Sequence, residues 1–113
     1  MTDYPLSVDE IASWFRSMEA VANARAVTVA GIHERRGTKK PAAFADFDAD
    51  GRMGRICVWV SGETDFEIVR ISDGEGVLFH HEKVSTLADQ ALDRAIDAFL
   101  KGMTNPDRDL LTL

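Results

Sequence analysis

The segment from Arg55 to Ser72, RICVWVSGETDFEIVRIS, constrains the fold more than any other stretch of the chain. Apolar and polar residues alternate on both sides of Gly62, and β-branched and aromatic types dominate. A period of two over this length belongs to half-buried strands, not to a helix. Two strands joined at a glycine make a hairpin, and its register decides which side chains share a face. A two-residue loop would set Trp59 beside Phe66, but Val58 would meet Glu67 and Val60 would meet Asp65. A three-residue loop, Gly62-Glu63-Thr64, pairs Ser61 with Asp65, Val60 with Phe66, Val58 with Ile68 and Ile56 with Arg70. That register gives one nearly apolar face. The opposite face carries Cys57, Trp59, Asp65, Glu67, Val69 and Ile71. The three-residue loop is preferred because it separates core from surface.

The flanking segments supply helices and further strands. Ser7 to about Ala24 reads as a helix, opened by a Ser7–Glu10 capping box. Val8, Ile11, Phe15, Met18 and Ala22 form its apolar stripe. AVTVAGI reads as a strand, HERRGTKKP as a polar loop and AAFADFD as a weaker strand, Ala and Asp being poor strand formers. SDGEG is a turn. VLFHHEK is a strand with Val77 and Phe79 on one side and Leu78 and His80 on the other. Thr86 to about Gly102 is a closing helix, with Thr86 and Asp89 as its capping box and Gly102 as its C-cap. The tail TNPDRDLLTL holds three leucines that would dock on the domain. The reading is α+β: an antiparallel sheet of about five strands with the N- and C-terminal helices on one face. At 113 residues, the chain fits a single domain spanning 1–113.

DFDADGRMGRIC opens like an EF-hand loop, with carboxylates at alternate positions and glycine at the sixth. That motif needs a glutamate at the twelfth position and helices on both sides, whereas here the twelfth residue is Cys57 and a strand follows. Asp50-Gly51 is a hairpin-turn signal, so the acids are expected at the end of a strand. No metal or other cofactor is implied.

Two helices cover one sheet face and leave the other to solvent. Trp59 projects from it beside Asp65 and Glu67, with Glu63 in the adjoining loop. Phe44, Asp46 and Asp48 join from the preceding strand, and Leu78 and His80 from the following one. An aromatic anchor in an acidic rim suits a protein-binding surface. The net charge of −6 disfavours nucleic acid and favours a basic protein partner. A lone cysteine and the lack of a basic–apolar leader point to the cytoplasm, and no run is long and apolar enough for a membrane.

Catalytic groupings are weak. Cys57 lies in a strand interior with nothing to lower its pKa, so it reads as a packing residue. His33, His80 and His81 lack metal-ligand spacing, since neighbours on a strand point to opposite faces. A catalytic set is not expected.

The run from Gly54 to Leu100 resembles TriTu-type bacterial immunity proteins. The match lies in the R-I-x-V-W strand end, Arg55 to Trp59, and the G-E-x-D-x-E hairpin, Gly62 to Glu67. A turn, a strand ending in histidines and an amphipathic helix follow. The resemblance implies a non-catalytic antidote that binds a secreted ADP-ribosylating toxin acting on elongation factor Tu. Its partner would be the cognate toxin domain, and the antidote itself a monomer. The other reading of the residues is a small acidic chaperone of a secreted effector, which would be dimeric.

Overall fold

The computed structural model describes residues 4–104. The elements run α1 (Val8–Ala24), β1 (Thr28–Arg35), β2 (Ala42–Ala49), β3 (Arg52–Trp59), β4 (Glu63–Arg70), β5 (Gly76–Lys83) and α2 (Gln90–Thr104). The strands form one antiparallel sheet in sequence order, β1-β2-β3-β4-β5, with β1 and β5 as its edges. Both helices lie on the same face. The fold is therefore α+β, as the alternation and the two amphipathic segments require. The C-terminal leucines, Leu110, Leu111 and Leu113, lie outside the described residues.

Helix α1 starts where its capping box predicts. Ser7 accepts from the Glu10 amide, and Glu10 accepts from the Ser7 amide. Its stripe, Val8, Ile11, Phe15, Met18 and Ala22, is buried against β1 and β2. The helix ends in a Schellman motif: Val27 donates to the Ala22 carbonyl and Ala26 to that of Asn23. The residue in the left-handed conformation is Ala26, at φ 61°. Glycine normally takes that place, because a Cβ crowds the carbonyl there.

Helix α2 begins later than the sequence suggests. Thr86 does not open it; Asp89 does, accepting from the Ala91 amide at 2.8 Å. Gly102 is not the C-cap either, because the helix continues to Thr104 and Gly102 is buried within it. Its carbonyl accepts from the guanidinium of buried Arg52, a cation set at the negative end of the helix. The ring of Phe99 lies 5.1 Å from Phe47 and 6.1 Å from Phe66, centroid to centroid. The helix comes this close because β3 carries Gly54 beneath it. A Cβ there would sit 2.6 Å from Phe99 Cζ and 2.8 Å from Met103 Sδ.

The β3–β4 hairpin corrects the predicted register. Val58 pairs with Thr64, Ile56 with Phe66 and Gly54 with Ile68. The three-residue loop exists, but it is Val60-Ser61-Gly62, with Gly62 last at φ 94°. The left-handed glycine closes such a loop rather than opening it. Gly62 is also wedged against the Val84 carbonyl, 1.8 Å from where a Cβ would stand. Val60 turns away to donate to the Pro41 carbonyl and accept from the Leu6 amide. The pairing moves by four residues, an even number, so every side chain keeps its predicted face.

In β5 the faces differ from the prediction. A bulge opposite Ile68 and Val69 lets Val77 and Leu78 both point into the core. His80 pairs with Phe66 and so lies on the helix side, whereas Phe79 and His81 stand on the open side. Strand β1 also runs further than AVTVAGI, taking in His33, Glu34 and Arg35.

Two substitutions report on these close approaches. Ala26→Gly should raise unfolding stability by about 1 kcal/mol, since glycine is unstrained in the left-handed region. Gly54→Ala should lower it by about 1–3 kcal/mol, because the added methyl overpacks the Phe99 contact. Urea titrations of both variants against the wild type measure each shift.

Candidate partner-binding face

The open face is built from rows that cross the sheet, because directly paired residues share a side. One row runs His33, Phe44, Cys57, Asp65, His81. The next runs Asp46, Arg55, Glu67, Phe79, and the one beyond it Asp48, Met53, Val69. Toward the other end, Trp59 stands beside Ala42, and Glu63 faces Lys83. Among the described residues no helix packs on this side.

The structure therefore brings Trp59, Glu63, Asp65, Glu67, Asp46 and Asp48 onto one face. His80 is not with them. It pairs with Phe66 and bonds Glu82 at 2.8 Å, beside a groove under α2 that Arg94 and Ala95 help to line. Alternation counted along VLFHHEK misplaces it because the bulge at Val77 shifts the phase. His81 takes its position on the open face, with Nδ1 2.5 Å from the Asp65 carboxylate.

The rim is mixed in charge rather than purely acidic. Asp46 accepts from Arg55 Nε at 2.7 Å and lies 3.5 Å from His33 Nε2. Lys40 bonds Glu63 at 2.6 Å and holds its carboxyl below the usual carboxylate range. Lys40 also lies 5.7 Å from the ring centre of Trp59, which is only partly exposed. Phe44 stacks on His33 and carries two guanidinium groups, Arg55 at 4.6 Å and Arg35 at 5.5 Å from its centroid. The basic members Arg35, Lys40 and Arg55 were legible as residues but not as neighbours of these acids. Arg55 pairs with Asp46 only once the β2–β3 register is fixed by the Asp50-Gly51 turn, where Ala49 pairs with Arg52. That turn also shows why DFDADG is no EF-hand opening: Asp46 and Asp48 lie along an extended strand, and Cys57 is inside β3.

Cys57 lies at the centre of the face between Phe44 and Asp65. Burial, reinforced by the Asp65 charge, pushes its thiol up to about 11. A protonated thiol is a poor nucleophile, which agrees with a side chain set between its strand neighbours. An upward shift keeps the folded-state thiol protonated between its ordinary pKa of 9.0 and about 11. Alkylation of the native protein by iodoacetamide should accordingly rise through a midpoint near 11, and of the urea-unfolded protein near 9.0. A native midpoint at or below 9.0 would mean an activated thiol.

The sheet thus has one packed face and one open face of aromatic and charged side chains. The model of one protein family, Immunity protein TriTu, matches residues 9–102, from the first turn of α1 to the last of α2. The chain belongs to the TriTu immunity protein family. Its partner is accordingly a toxin, and the chain is an inhibitor, not an enzyme. No curated protein matches the chain. No helix among the described residues is long and apolar enough to cross a membrane.

Proposed function

We propose that the chain neutralises an ADP-ribosylating toxin by laying its open sheet face over the toxin's active site or target-binding site. The observation that carries this reading is the division of the sheet. One face is spent on the core with α1 and α2, and the other presents Trp59, Phe44, Phe79 and a lattice of charges. A broad face of aromatics and fixed charges suits a protein partner, since aromatic residues and arginine are enriched at interfaces. The net charge of −6 favours encounter with a basic toxin surface. The whole chain acts as one domain and one copy binds one toxin. Its single thiol suits the reducing cytoplasm.

The test is inhibition of a cognate ADP-ribosyltransferase toxin domain, chosen from the genes neighbouring this one, with elongation factor Tu as substrate. Wild-type protein should block ADP-ribosylation stoichiometrically. The double variant Trp59→Ala/Asp65→Lys should weaken inhibition by about thirtyfold or more, the scale of a hot-spot loss. Asp93→Lys, exposed on α2 on the far side, should inhibit like the wild type. A double variant that stays folded and inhibits normally would show that the toxin is bound elsewhere.

A further inference from the structure

The exposed large apolar side chains among the described residues are Val21, Met53, Ile71 and Phe79, at 54 %, 51 %, 56 % and 60 % exposure. Val21 is alone on α1. Met53 and Phe79 stand on the open face, and Ile71 follows directly on β4. Met53 faces Val69 across β3 and β4, and Phe79 faces Glu67 across β4 and β5. A depression of about 150 Å³ lies in this corner, lined by Asp46, Met53, Gly54, Arg55, Glu67 and Val69.

Glu67, like Asp48 beside Met53, differs from the other acids of the open face. Asp46 is held by Arg55 and His33, Asp65 by His81 and Glu63 by Lys40. No hydrogen bond or ion pair holds Glu67 among the described residues. The cation directly across from it, Arg55, is turned to Asp46 and lies over Phe44. A carboxylate with no hydrogen bond of its own, sharing the charge of Arg55 with Asp46, thus stands among Met53, Val69 and Phe79.

We infer that this corner receives one arginine of the toxin, its guanidinium on Glu67 and its methylene stem on Met53, Val69 and Phe79. The inference rests on the reading that the open face meets the toxin. An apolar partner would strip water from Glu67 and leave a buried charge uncompensated. A carboxylate would be repelled. A lysine would pair, but its compact ammonium holds water more strongly than a guanidinium does. The guanidinium is planar, can bond both carboxylate oxygens and can stack on the Phe79 ring. Trp59, partly covered and capped by Lys40, then meets the toxin at the other end of the same face.

The experiment uses the same toxin domain, made inactive in its catalytic site, and measures binding to full-length variants by calorimetry. Glu67→Gln and Phe79→Ala should each weaken binding by at least about tenfold, with melting temperatures unchanged because both residues are exposed. Alanine replacement of each toxin arginine in turn should yield one whose loss is not additive with Glu67→Gln. Binding within about twofold of wild type for Glu67→Gln and Phe79→Ala overturns the inference. If Trp59→Ala/Asp65→Lys still loses affinity in that case, the open-face reading stands without it. Loss at Glu67 with no coupled arginine also overturns it. Failure of the wild type to bind the domain removes both.

Discussion

Phe99, set over Gly54 and between Phe47 and Phe66, is the contact on which the rest of the structure depends. It brings α2 down onto the middle of the sheet, while α1 covers β1 and β2. The two helices together seal one face into a continuous core that includes Phe15, Ile11, Ile56, Val58 and Leu92. Burying this much aromatic and aliphatic surface on one side provides the main stabilisation. The opposite face is thereby released from packing duty. A side chain such as Asp65 or Phe79 can be chosen for what it contacts outside the molecule.

That release does not leave the open face unordered. Arg55 is tied to Asp46, His81 to Asp65 and Lys40 to Glu63, while Phe44 carries His33, Arg35 and Arg55 on its ring and Trp59 lies below Lys40. Surface pairs of this kind add little to folding stability. They hold long side chains in place, and if the open face meets the toxin as proposed, less conformational entropy would be lost on association. A toxin inhibitor gains from such a surface, since a preformed pattern of charges also selects against wrong partners.

Much of this was legible in the sequence. The period-two pattern on either side of Gly62 separated Val58, Phe66 and Ile68 from Trp59, Asp65 and Glu67, and the faces survived a register error because the pairing moved by an even number. The Ser7–Glu10 box located α1 because both partners are local. The sequence misleads where local signals compete or distant contacts decide. Thr86 and Asp89 both suit an N-cap, and in the fold Thr86 accepts from Ala88 in a turn while Asp89 opens the helix ahead of buried Leu92. Gly102 looks like a helix end but lies within the last turn of α2, where Arg52 satisfies its carbonyl. The bulge that turned Leu78 and His80 inward follows from pairing with β4 and leaves no mark in VLFHHEK itself. Which acids are paired and which, like Glu67, are not depended on neighbours from three strands.

An open sheet also has two edges, and each is a template for another copy of the same chain. Strand β1 breaks its own edge with a bulge between Val29 and Gly31 and then fills it with His33, Glu34 and Arg35. Strand β5 closes its edge with His80, His81, Glu82 and Lys83. Charged, irregular margins discourage strand-to-strand self-association. Strand addition, the commonest way for one copy of an open sheet to seize another, is thus disfavoured at both ends, whatever the open face contacts.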